Sequence, residues 1–216
     1  MPQVFSRSAN TVALVSLGVV LLLAGGGIGL IMAFERSRYT TDVGVAREQP
    51  VQFSHQHHAG QLGIHCGYCH TTVETSAFAG IPPTHTCMSC HSQIWIDSPM
   101  LEPVRASYRT GESIPWNRVH DLPGFVYFNH SIHINKGIGC ASCHGRVDQM
   151  TLVSKAATLH MQWCLDCHRT PEKHVRPREL VYQMDYQQPP NQEELGRKLV
   201  TEYKIRKLLD CYTCHR

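Results

Sequence analysis

Cys140-Ala-Ser-Cys143-His144 decides the reading of this chain, because the same spacing recurs four more times: Cys66-Gly-Tyr-Cys69-His70, Cys87-Met-Ser-Cys90-His91, Cys164-Leu-Asp-Cys167-His168 and Cys211-Tyr-Thr-Cys214-His215. The five pentads use all ten cysteines. Cys-x-x-Cys-His is the attachment pattern of c-type haem. Each thiol adds to one haem vinyl group, and the adjacent imidazole then lies under the iron as its proximal ligand. A His displaced by one residue would lose that bond. A structural zinc site pairs two Cys-x-x-Cys units or adds a separate His pair, and it does not need His directly after every second Cys. The expected cofactors are therefore five covalently bound haem c groups. His70, His91, His144, His168 and His215 are the proximal iron ligands, and every sulfur is consumed in a thioether rather than a disulfide.

Working outward, Phe53-Ser-His55-Gln-His57-His58 aligns with Phe128-Asn-His130-Ser-Ile132-His133, both reading Phe-x-His-x-x-His. Each precedes Gly-Ile-x-Cys-x-x-Cys-His, with His55 11 residues before Cys66 and His130 10 before Cys140. Two dihaem repeats thus make up the bulk of the chain, and the Cys211 motif supplies a fifth haem at the carboxy end. An electron carrier with low-spin iron needs a sixth ligand on each site. The repeat selects His55, His58, His130 and His133 as distal ligands, with the two His of each segment serving different irons. It demotes His57, which aligns with Ile132, and His65, which aligns with Gly139. His85, His160 and His174 have no repeat counterpart and read as surface or propionate-bonding residues. The fifth distal position lies between Met161 and His120. Met ligation there would raise that site's potential relative to His/His.

Ahead of the repeats, Thr11 to Phe34 is a run of 24 uncharged, mostly apolar residues. As a helix it would be about 36 Å long, enough to cross a hydrocarbon core of about 30 Å. A cleaved signal is the rival, with Arg7 as its charged region and Ala24-Gly25-Gly26 as small residues. The run continues through Ile28, Leu30 and Ile31, which suits a retained anchor. Arg7 on one side and Arg36 and Arg38 on the other give no orientation bias. Haem attachment on the outer face puts the amino terminus inside. The expected organisation is a cytoplasmic terminus over 1–10, a transmembrane helix over 11–34, a polar linker over 35–50 and an extracytoplasmic, periplasmic-side pentahaem domain over 51–216. Gly25 and Gly29 would permit close approach of a partner helix.

The fold class expected for 51–216 is mostly irregular with short α-helices and a haem core, carried on one N-terminal transmembrane helix. Asn191 and Glu194 read as a helix N-cap and its third residue. Leu195, Leu199, Leu208 and Leu209 then form a stripe running into Cys211. A second helix is expected over Gln93 to Tyr108, interrupted by Pro99 and Pro103. Little or no β-sheet is expected. The formal charge of +3 becomes about −2 once ten propionates and five ferric cores are counted. Lys and Arg are scattered, so no nucleic-acid partner is expected.

Four longer runs carry a resemblance: Gly80-Ile-Pro-Pro-Thr-His-Thr-Cys-Met-Ser-Cys-His-Ser-Gln, Ile114-Pro-Trp-Asn-Arg-Val-His-Asp-Leu-Pro, Phe125-Val-Tyr-Phe-Asn-His-Ser-Ile-His and Met161-Gln-Trp-Cys-Leu-Asp-Cys-His-Arg. The motif arrangement resembles class III multihaem cytochromes. The longer runs resemble the pentahaem subunit of bacterial alternative complex III over nearly the whole chain. The stretch 171–210 is less distinctive. That resemblance implies a subunit of a membrane quinol:acceptor oxidoreductase in a respiratory or photosynthetic chain. It would pass quinol-derived electrons towards a monohaem cytochrome c or a soluble carrier, beside other subunits of a quinol-oxidising complex and with no substrate site or catalytic residue of its own. Three rivals stand beside it. A self-sufficient membrane-anchored multihaem quinol dehydrogenase would have its first motif closer to the helix. An oxyanion reductase would need an iron with an open position, and a zinc module would lack haem altogether.

Overall fold

The computed structural model describes residues 4–215. They belong to two compact units, one up to Asp42 and one from Val43 onward. The first unit is a single long helix, α1 (Ala9–Glu35), and one further turn, α2 (Arg38–Thr41). Leu, Gly, Val and Ala dominate α1, and its most apolar 18-residue stretch has a mean hydropathy of 2.4. It is long and apolar enough to cross a membrane by length and composition, since 1.5 Å per residue makes it about 40 Å. None of its residues is buried, so its apolar surface needs a solvent other than water or a partner. A Cβ at Gly25 or Gly29 would meet nothing within 4 Å. The Thr40 hydroxyl donates to the Phe34 and Glu35 carbonyls at 3.0 Å, capping the end of α1.

The second unit is built from short helices: α3 (Cys66–Cys69), α4 (Thr84–His91), α5 (Glu102–Thr110), α6 (His130–Asn135), α7 (Cys140–His144), α8 (Met161–Arg169), α9 (Gln192–Glu202) and α10 (Cys211–Cys214). Among the described residues there is no strand. Pairing is limited to isolated bridges such as Val126 with His215 and Ile138 with Val175. Five of these helices carry the Cys-x-x-Cys-His motifs. One helical turn brings residues i and i+3 onto a common face, so each pair of sulfurs shares a side while the following His closes the turn. His70 and His215 donate their backbone N–H to the carbonyls of Cys66 and Cys211, both at 2.9 Å.

The apolar core is small. Eight hydrophobic residues are buried among those described. Val51, Leu101 and Val104 gather beside Cys87 and Met88, while Val175, Leu199 and Tyr203 gather beside Ile138 and Leu195. Burial on this scale falls short of what a domain of this length needs, which leaves large apolar groups other than side chains to fill the interior.

Within the stretch 35–50 expected as a polar linker, residues 43–50 make contacts in the second unit: Val43 and Ala46 bridge to Lys155 and Ser154, and the Gln49 amide donates to the Asn117 carbonyl at 2.9 Å. Two sequence expectations are corrected by the structure. The helix expected over Gln93 to Tyr108 starts only at Glu102, after a 3-10 turn at Pro99–Leu101. Pro103 lies in its first turn, where the missing N–H costs nothing. The stripe expected to reach Cys211 stops early. Helix α9 ends at Glu202, and Lys204 turns into the left-handed region at φ 52, so Leu208 and Leu209 lie outside it. Asn191 holds the N-cap position but makes no side-chain cap bond.

The repeat is visible in the backbone, and its one irregularity has a local explanation. In the second half, His130 and His133 lie on α6. In the first half the equivalent segment forms a π-helical turn, Gln56–Gln61. A π turn is what one inserted residue makes of an α-helix, and the first repeat has one residue more between its distal His and its first Cys.

Candidate haem-binding site

Each motif histidine except His215 faces a second imidazole. The ring centres of His55 and His70 are 6.4 Å apart, those of His58 and His91 6.2 Å, those of His130 and His144 6.4 Å, and those of His133 and His168 6.3 Å. Two imidazoles bound to one metal through Nε2 at about 2 Å have ring centres about 6.3 Å apart, since each nitrogen lies roughly 1.1 Å from its ring centre. The residues therefore fit an iron between each pair. The alternative donor set does not fit: among the described residues no group of three or more His, Cys, Asp or Glu could hold a metal ion. All ten sulfurs stand unbridged.

The imidazoles are oriented from behind. The Nδ1–H groups of His58 and His133 donate to the carbonyls of Ser54 and Asn129 at 2.8 and 2.7 Å, four residues back along each turn. His130 Nδ1–H donates to the Ala77 carbonyl at 2.9 Å, His70 to Gly80 at 2.7 Å, His91 to Ile94 at 3.1 Å, His168 to Leu208 at 3.0 Å and His215 to Phe125 at 3.3 Å. A carbonyl behind Nδ1 fixes the tautomer that leaves Nε2 free to ligate, and it makes the ring a better donor. His55 departs from the rule, because its Nδ1 is buried without a partner. Burial lowers His55 to about 4 and His144 to about 3, with neighbouring imidazoles adding to the effect. Both rings are thereby held neutral, the form that binds a metal. Burial also raises the thiols of Cys140 and Cys143, to about 11 and about 12. That environment suits an uncharged thioether better than a metal-bound thiolate.

Phe53 and Phe128 brace the distal rings, each stacked on one His at 4.4 Å (His58 and His133) and edge-on to the other at 4.9 and 4.8 Å (His55 and His130). Nothing in the residue types alone assigns the two phenylalanines a role. Their position in Phe-x-His-x-x-His was the available signal. The carbonyl acceptors left no signal at all, being backbone.

The remaining sequence candidates separate. The ring of His120 lies 4.2 Å from that of His144, edge-on, too close for an iron between them. Its Nε2 is buried without a partner. Met161 opens α8, one turn ahead of Cys164, and the residue is 64% exposed. No imidazole faces His215 at ligand spacing among the described residues, and its neighbouring ring is Phe125, at 5.8 Å. His57 bonds Gln61 at 3.0 Å, and His65 accepts the Gly67 N–H at 3.1 Å, capping α3. Neither is opposed to a motif histidine.

Attachment motifs, opposed imidazoles and an interior short of apolar side chains define the second unit as a multihaem cytochrome c domain, an electron-transport module. Residues 126–216 match the family described as cytochrome c7 and related cytochrome c. Over 99 residues the chain is 35% identical to the menaquinone reductase, multiheme cytochrome c subunit, of Nitratidesulfovibrio vulgaris. That alignment takes in 45% of this chain and 46% of the relative, so the match spans about half of each protein.

Proposed function

We propose that the chain is the pentahaem electron-transfer subunit of a membrane quinol:acceptor oxidoreductase of the alternative complex III kind. The observation that carries the reading is the set of four opposed imidazole pairs at 6.2 to 6.4 Å, each at a Cys-x-x-Cys-His motif. Haem, when bound, supplies one-electron chemistry without a proton or a bond having to move. The protein's own work is to hold four irons between paired rings and the fifth between a ring and a thioether, keep the rings from rotating and bury the sites. His55, His58, His130 and His133 are the distal ligands of the sites of His70, His91, His144 and His168.

For the site of His215 the sixth ligand is Met161. Two observations support it over His120, whose ring is pressed against His144. Met161 shares a helix with Cys164, and Cys164 lies close enough to Cys214 for their charges to interact, although burial is the larger influence on its thiol. A thioether ligand makes this the highest-potential site of the five.

The quinone link rests on the relative's name, and the membrane anchor on α1. The haem domain lies on the periplasmic side of the cytoplasmic membrane. Quinol-derived electrons enter from neighbouring subunits and leave to a monohaem cytochrome c or a soluble carrier. The test is to offer a menaquinol analogue to the haem-loaded chain alone and then within its complex. Reduction only within the complex is expected. Direct reduction of the isolated chain would make it a self-sufficient quinol dehydrogenase and overturn the proposal.

A further inference from the structure

We infer that the five attachment sites form a single unbranched line whose order in space differs from their order in sequence: second, first, third, fourth, fifth. The exposed ends are the sites of His91 and His215, and the site of His144 is the middle. The inference rests on the haem occupancy of the Proposed function and concerns what that reading leaves open, namely where electrons can enter and leave.

The first link joins the second and first sites. Tyr68, inside the first motif, and Ser89, inside the second, share a hydrogen bond of 3.0 Å between their hydroxyls. His55 and His58, on one turn, serve both sites. The second link joins the two repeats and is reciprocal. Ser131 N–H donates to the Ser76 carbonyl at 3.1 Å, six residues after His70. Gln56 N–H donates to the Met150 carbonyl at 3.0 Å, six residues after His144. Ser131 and Gln56 each follow the equivalent histidine of the two repeats. The halves therefore clasp each other about an approximate two-fold axis, with the sites of His70 and His144 facing across it. Third and fourth are joined as first and second are, by His130 and His133 on α6. The fourth and fifth are joined where His168 Nδ1–H donates to the Leu208 carbonyl at 3.0 Å, just ahead of Cys211.

The exposure of the sulfurs agrees with this line. Of the ten sulfurs, Cys90 and Cys211 are exposed and the others are not. They belong to the second and fifth motifs. Transfer along the line moves one electron at a time, each donor iron going from ferrous to ferric as its neighbour is reduced. The electron source is quinol-derived, and the final oxidant is a one-electron carrier.

The test uses the haem-loaded full chain. Iron positions from an experimental structure are expected to give shortest iron–iron distances for second–first, first–third, third–fourth and fourth–fifth. A second site next to the third, or a fifth next to the first or second, would overturn the order. A soluble gadolinium chelate should broaden haem-methyl NMR resonances several-fold more at the sites of His91 and His215 than at that of His144. Equal broadening would overturn the assignment of the ends. Fewer than five bound haems would instead count against the function proposed above, so the two failures are separable.

Discussion

The two repeats hold their imidazoles almost identically and support them differently. Within each repeat one ring pair is nearly parallel, at 2° for His55/His70 and 15° for His130/His144. The other is crossed, at 65° for His58/His91 and 62° for His133/His168. Around the second repeat the chain adds a layer the first does not have. Helix α9 packs on Pro171–Lys173, and buried Arg176 bonds Gln183 and Ser142, with its guanidinium 4.3 Å from the centre of the Tyr186 ring. Lys136 donates to the Tyr203 carbonyl. The first repeat relies on the π turn at Gln56–Gln61, where a Cβ at Gly60 would run into the Asp148 carbonyl oxygen. Ligand geometry is therefore set inside each motif segment, and what surrounds it sets burial.

The largest effect should come from deleting attachment in the layered half. Replacing Cys140 and Cys143 together by Ala removes the middle site, and intact mass should show fewer than four haems with much of the chain unfolded. Replacing Cys87 and Cys90 by Ala should cost one haem and leave the other four. Equal losses from the two variants would erase the distinction between the halves.

Next is Gly196→Val. A Cβ there would collide with the backbone of Glu172, so α9 must lift away, at a cost of about 3 kcal/mol. Denaturant unfolding should show that loss, with the second-repeat sites losing their distal ligation first.

Smaller again is the ring brace. Phe53→Leu and Phe128→Leu should each cost about 1–2 kcal/mol and, by symmetry, by similar amounts in thermal unfolding. A large disparity would mean that the two phenylalanines do different jobs.

The smallest effect concerns the two parallel pairs. His130 has the Ala77 carbonyl behind it and His55 has no partner, but opposite His55 the His70 ring has the Gly80 carbonyl behind it, so each site holds one ring supported in this way. The sites of His70 and His144 should therefore titrate within about 60 mV of one another, the spread that a tenfold factor would give. Potentiometry followed by electron paramagnetic resonance resolves this, because parallel rings give rhombic signals and crossed rings give signals of much larger g.

Much of this was legible in the residues. The pentads marked five helical turns that bring two sulfurs to one side, and Phe-x-His-x-x-His marked four rings that stand opposite motif histidines, because both patterns are short enough for one helical turn to bring their members together. What was not legible depended on chain folding at long range. Residues 43–50 looked like linker because nothing local shows that a backbone will bridge to Lys155. The helix ahead of Cys211 was drawn too long because Leu208 and Leu209 continue the periodicity, while the left-handed turn at Lys204 has no glycine to announce it. The choice between Met161 and His120 for the fifth distal position was not legible either, since it turns on where long-range folding carries each side chain, as with the His120 ring against His144.

Intact mass spectrometry of the mature chain tests the central claim most directly. The account predicts an excess over the polypeptide of five haems, retained under denaturing conditions because each is held by two thioethers. An excess of fewer haems, or metal ions in their place, would contradict it.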